Sequence, residues 1–247
     1  MRAPWAFGHG LGLCLSFMTR LVPGRMAAPE EFPRALPWFP AAGLAVGLLA
    51  VLPAWLGLFA GQSWLQAWLA VGLSLWLTRG LHADGLADIM DAWGSRAEGE
   101  RFWSILKDSR AGSFGVIGLV MALTGQVMAF QALAAQGRFG AVAWCFVLGR
   151  LSGLALLWAC RDRVRPGLGA MFAPGATTRT LLLAAGATLA TGLALTTPGA
   201  MFRGAALSAC AVVGLARLCT RRGGMNGDFI GAAIVLGELA AALGAVI

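Results

Sequence analysis

The sequence predicts an all-α fold, a polytopic membrane bundle of about seven transmembrane helices. Three observations lead there. Of the 247 residues, 58% are hydrophobic and only 12% are charged, about half the charge of a soluble domain. The apolar residues gather into seven segments, 41–59, 62–78, 114–136, 139–159, 180–197, 201–218 and 229–247, close to the roughly 20 residues that cross a bilayer as a helix. The arginines then fall in alternate connections, as they do when one side of a bilayer retains the basic loops.

The first 38 residues read as a cytoplasmic or interfacial segment. Arg2 is followed by a mildly apolar stretch, Trp5–Met18, which His9 interrupts and no small-residue cleavage site follows. A short interfacial helix ending near Arg20 fits this better than a signal peptide. The first two apolar segments are separated only by 60–61, and the third and fourth only by 137–138. Both pairs are therefore expected as helix hairpins. Gly and Ala recur in these segments, which suits close packing in lipid. No linker divides the chain, so residues 1–247 read as one membrane-embedded domain.

Orientation follows from arginine. Arg2, Arg20, Arg25 and Arg34 precede the first segment; Arg79, Arg96, Arg101, Lys107 and Arg110 lie in 79–113. Arg161, Arg163, Arg165 and Arg179 lie in 160–179, and Arg221 and Arg222 in 219–228. The alternate connections hold at most Arg138 and Arg203. The N-terminus and the charged connections are expected in the cytoplasm, and seven spans put the C-terminus outside. The net charge of +8 is thus a topology signal, and no basic-aromatic interleaving suggests a nucleic-acid partner. The five cysteines are scattered without a CxxC pair and read as small core hydrophobes.

The acidic residues carry the chemistry. The chain has only 11, and Asp84, Asp88, Asp91 and Asp108 fall in the 79–114 motif region between two apolar segments. On a helix over 82–94, Asp84, Asp88 and Asp91 share one stripe. Carboxylates so placed repel one another unless a cation lies between them. An all-oxygen donor set near phosphate suits Mg²⁺. The plainer alternative makes Asp84 an N-cap and the other two a solvated face. His82 falls on the far side of that helix, as a substrate contact or a structural residue.

Three further stretches point to an anionic ligand. In KDSRAGSFG at 107–115, Asp108 can complete the metal set, and Lys107 and Arg110 can neutralise phosphate. Ser109, Gly112 and Ser113 would offer backbone N–H groups at a helix N-terminus. In GGMNGDFIGA at 223–232, Gly223, Gly224 and Gly227 let backbone approach a ligand, and Asp228 stands at the mouth of the last span. Glu238 lies about 15 Å further along that helix. It is a candidate by virtue of being an intramembrane carboxylate, or else a buried residue paired with an arginine or a hydroxyl. RDRVRPGLG at 161–169, with Arg165, either holds anionic substrate or anchors topology.

Together these stretches resemble the adenosylcobinamide-GDP ribazoletransferase, or cobalamin synthase, family. The resemblance rests on LHADGLADIMDAWG at 81–94, KDSRAGSFG, and GGMNGDFIGA with Glu238 after it. It extends to SFMTRLVP at 16–23, PWFPAAGLAVG at 37–47 and RPGLG at 165–169. Ala83, Ala92 and Asn226 depart from the usual pattern without removing a carboxylate. The resemblance implies a Mg²⁺-dependent enzyme of the bacterial inner membrane with its motifs facing the cytoplasm. It implies that adenosylcobinamide-GDP is joined to α-ribazole or α-ribazole 5′-phosphate and that GMP is released. Asp84, Asp88, Asp91 and Asp108 are expected as metal ligands, and Asp91, Asp108 and Arg110 in catalysis, with Asp91 or Asp108 as base. His82, Lys107, Ser109, Arg110, Arg165, Gly223, Gly224, Gly227, Asp228 and Glu238 are expected to meet substrate. A homo-oligomer is left open. A CDP-alcohol phosphotransferase-like lipid enzyme and an ion-coupled transporter are the alternatives.

Overall fold

A computed structural model describes residues 5–24 and 26–247; Arg2 and Arg25, counted above toward orientation, lie outside them. Helix α1 (Trp5–Met18) is followed by a 3-10 turn, Pro29–Trp38, and by α2 (Phe39–Trp55) and α3 (Ser63–Thr78). Next come α4 (Leu81–Gly94), α5 (Gly99–Leu106), α6 (Ser113–Ala135) and α7 (Phe139–Ala159). The short α8 (Leu168–Phe172) leads to α9 (Thr178–Leu195), α10 (Pro198–Arg222) and α11 (Gly227–Val246). All seven apolar segments are helical, as lipid leaves the backbone no other partner.

Among the described residues, six helical stretches are long and apolar enough to cross a membrane. The exception is α3, at 16 residues. Arg79 and Gly80 both take left-handed backbone, with φ of 58° and 69°, and end it at Thr78. Immediately afterwards α4 begins. It is no loop outside the bundle: it runs antiparallel along α6. Gly94 abuts Phe114, Met90 abuts Gly118, and Ala83 reaches Leu123 and Gln126 near the middle of α6. The acidic stripe is therefore built into the bundle wall.

Helices α7 and α11 form the centre and are mostly buried, whereas α9 and α10 leave most of their surface exposed. Small residues allow this packing. Gly43 and Gly47 seat α2 on the α7 backbone at Phe146 and Ala143, and a Cβ on Gly149 would stand 2.8 Å from the Ile234 carbonyl of α11. At the other side, Phe17, Phe32, Phe39 and Phe172 tie α1, the 3-10 turn, α2 and α8 together through ring contacts of 5.0–6.3 Å. The Arg79 guanidinium donates to the carbonyls of Ser16 (3.3 Å) and Phe17 (2.7 Å), capping the end of α1. Four cysteines are buried and only Cys210 is exposed; none is in a disulfide.

Candidate functional site

The two acidic motifs meet where α4 crosses α11. Gly85 faces the Asp228 backbone, and Gly231 lies against the carbonyl of His82. Asp84 and Asp88 project beside this crossing into an open cleft of about 620 Å³, whose walls include Arg79, Ala87, Ser109 and Ala111. Neither carboxylate accepts a hydrogen bond among the described residues. Asn226 Nδ2 donates to Asp228 Oδ2 at 2.6 Å. Partial burial, then the charges of Asp228, Asp84 and Asp91, push the Asp88 carboxyl up to about 7.

Asp91 sits differently. Its two oxygens accept the backbone N–H groups of Gly112 and Gly115, each at 2.7 Å. Its carboxylate lies against both glycines where a Cβ would stand. The N-terminus of α6, expected to hold substrate phosphate, is thus filled by the protein's own anion, a favourable place for one. Asp91 does not line the cleft. Asp108 also lies apart, exposed and doubly bonded to Arg110, with Oδ1–Nε at 3.0 Å and Oδ2–Nη2 at 2.7 Å. That partner holds its carboxyl down to about 2. Lys107 is exposed at the end of α5, and of this motif Ser109 and Ala111 alone reach the cleft.

The glycine-rich motif divides into two roles. Gly223 ends α10 with φ of 71°, and Gly224, with φ of 152°, lies against the Arg163 carbonyl. These two shape a turn. Met225 then pairs with the 161–169 segment: its N–H donates to Arg163 (3.0 Å) and its carbonyl accepts from Arg165 (2.8 Å). The Arg165 guanidinium stacks on Trp103 at 4.3 Å and reaches Glu100 at 3.4 Å, so it braces α5. The following Pro166–Gly169 instead wall a second cavity of about 290 Å³, together with His82, Asp84, Gly227 and Asp228. The cleft and this cavity share Phe17, Leu81, Asp84 and Leu168.

Glu238 lies away from both, buried in the bundle and ion-paired with Arg150 of α7; Gln126 Nε2 donates to its other oxygen at 3.2 Å. Its place is that of the paired interior residue, not of a substrate contact. Arg150, only 1% exposed, was missed in the sequence. Its signal was there: it is the one charge within the 139–159 run. His82 borders both this polar interior and the second cavity, and burial holds its imidazole well below the usual histidine range, hence neutral.

Asp84, Asp88 and Asp228 approach the junction of the two cavities, although among the described residues no three His, Cys, Asp or Glu side chains stand close enough to hold a metal ion as placed. The donor chemistry fits Mg²⁺: in Asp84 and Asp88, carboxylate oxygens that no donor satisfies among the described residues, and a mutual repulsion that a cation would relieve.

A family model described as cobalamin-5-phosphate synthase matches residues 10–246. A protein named adenosylcobinamide-GDP ribazoletransferase from Nitratidesulfovibrio vulgaris (strain DSM 19637 / Miyazaki F) is 47% identical over 247 residues, 100% of this chain and 97% of its own. Proteins of the same name from Pseudomonas aeruginosa (strain UCBPP-PA14) and Syntrophobacter fumaroxidans are 36% and 35% identical. They align with 94% and 92% of this chain, and with 95% and 92% of their own. No solved structure matches.

Proposed function

The chain belongs to the cobalamin-5-phosphate synthase family and is a transferase of cobalamin synthesis, and from that premise we propose that it joins adenosylcobinamide-GDP to α-ribazole or its 5′-phosphate and releases GMP. The relatives' printed name supports the two substrates. The observation that carries the reading is the pair of unsatisfied carboxylates, Asp84 and Asp88, in one cleft with Arg79, and Asp228 brought alongside from α11.

Asp84, Asp88 and Asp228 would hold Mg²⁺, which when bound offsets the charge that develops on the phosphates. The chain's own residues do the rest. Arg79 and Ser109 face the diphosphate from the cleft wall. The acceptor hydroxyl loses its proton to a carboxylate as its oxygen attacks phosphorus and the bond to GMP breaks. The oxygens of Asp91 and Asp108 are already engaged, and Asp84, the carboxylate that lines both cavities, serves as base as well as ligand. Arginine asymmetry supports these motifs facing the cytoplasm, and family membership supports a bacterial inner-membrane location.

Purified protein given adenosylcobinamide-GDP and α-ribazole should release GMP only when both are present, and chelation of divalent cations should stop it. CMP release from CDP-diacylglycerol and an alcohol, without turnover of the corrinoid, would replace this reading with a lipid transferase.

A further inference from the structure

The smaller cavity has a use that the transferase reading does not itself specify. Resting on that reading, we infer that it is the acceptor subsite: it takes the flat aromatic base of the incoming nucleoside, while the larger donor stays in the open cleft. Size separates the two. The cavity holds about 290 Å³ against about 620 Å³ for the cleft. The lower figure is near the ~300 Å³ at which small-molecule sites begin, enough for a bicyclic base and its sugar. A corrin macrocycle with its nucleotide is several times larger and is accommodated only by an open surface.

The lining agrees. Phe17, Phe39 and Phe172 supply aromatic faces and edges, with Phe17 and Phe172 centroids 5.0 Å apart, and aromatic ligands pack well against such groups. Gly167, Gly169, Gly227 and Gly231 add stretches of wall without side chains, beside the apolar Leu168, Ile230 and Ile234. Charge favours the cleft for the alternative occupant. No Lys or Arg lines this cavity, whereas Asp84 and Asp228 do. The cavity gives a diphosphate no cationic side chain, whereas in the cleft Arg79 stands beside Asp84 and Asp88. A phosphate on the acceptor, when present, must therefore project out of the cavity.

Asp84 is the only charged residue common to both walls among the described residues. That places the reaction at the junction. The sugar hydroxyl of the seated nucleoside gives its proton to Asp84 and its oxygen bonds to phosphorus. The phosphorus–oxygen bond to GMP breaks, and GMP leaves with the electron pair.

Gly227 allows the test, because a Cβ there meets nothing within 4 Å. Gly227→Leu should raise KM for α-ribazole at least about tenfold, as a misfitted apolar pocket does, with KM for adenosylcobinamide-GDP little changed. Ser109→Trp in the cleft should do the reverse. A binding measurement covers a folding failure of the leucine variant. Gly227→Cys, with exposed Cys210→Ser, should be alkylated by a maleimide; α-ribazole should slow the labelling and GDP should not. Protection by GDP and none by α-ribazole, or a donor KM that rises alone in Gly227→Leu, overturns the assignment. If wild-type protein turns over neither substrate, it is the transferase reading that falls.

Discussion

Gly85 rests on the main chain of Asp228: a Cβ built on it would stand 2.9 Å from both the Cα and the carbonyl oxygen of that residue. The two acidic motifs are thus set against each other backbone to backbone. Gly85→Ala should push α4 off α11 and lower turnover about tenfold, with a stability loss of about 1–3 kcal/mol for overpacking. Gly186→Ala in α9, whose Cβ meets nothing, serves as the control. Initial rates and thermal unfolding report both effects, and a fully active Gly85→Ala would show that the crossing does not set the site.

Asp84→Asn and Asp88→Asn should each reduce turnover at least ~100-fold, since each removes a carboxylate that would hold Mg²⁺ against the reacting phosphates. Asp108 and Arg110 bond each other and should behave as a unit. Asp108→Asn and Arg110→Gln should cause similar losses, and the double variant should be no worse than either single. Additive losses in the rates would mean that the two act separately, as a metal ligand and a phosphate contact.

For Asp91 the expected readout is stability without any metal. An amide at this position can offer only one oxygen to the two N–H groups of Gly112 and Gly115. Asp91→Asn should therefore lower the unfolding temperature of metal-free protein, by an amount matching about 1–3 kcal/mol. Unchanged metal-free stability with lost activity would return Asp91 to the metal set.

Proton and Mg²⁺ should compete at Asp88, whose carboxyl is raised to about 7. Below that value the group keeps its proton, so the Mg²⁺ concentration for half-maximal rate should rise from about pH 8 to about pH 6 and be flat above. Metal-free stability runs opposite to Mg²⁺ affinity. A carboxyl raised in the folded state favours folding most below the ordinary carboxylate range and loses that contribution as pH rises through about 7. A Mg²⁺ requirement independent of pH would contradict the crowding of Asp88.

Arg150 and Glu238 should be tolerated together or absent together. Removing one leaves a buried charge bare, at about 3–5 kcal/mol. Arg150→Met and Glu238→Met should each be poorly stable in detergent. The double variant should recover most of the loss, because the pair serves packing and not chemistry. A double variant that recovers stability without activity would give Glu238 back a role with substrate.

The helices were legible because apolar runs in lipid have one outcome, and the stripe of Asp84 and Asp88 because helical period fixes a face. What could not be read was pairing across the chain. Asp91 looks like a third ligand until α4 is known to lie antiparallel to α6, which brings Gly112 and Gly115 to it. Asp108 looks free until the turn folds Arg110 back. The partner of Glu238 lies 88 residues away, and although Arg150 is the one charge in its apolar run, nothing in that run says which group it meets. Likewise Gly223, Gly224 and Gly227 read as equivalent, yet only the last reaches a cavity.

The separation of Arg150 from Glu238 also has a consequence for how the protein is made. As the chain emerges, α7 carries its guanidinium toward the bilayer long before α11 exists. An unpaired arginine at a helix centre is disfavoured there, so α7 must wait in the insertion machinery, or at the surface, until α11 arrives with its carboxylate. The central helix pair is then the last to lock, and nascent chains released before Glu238 should be recognised and degraded while chains carrying α11 persist.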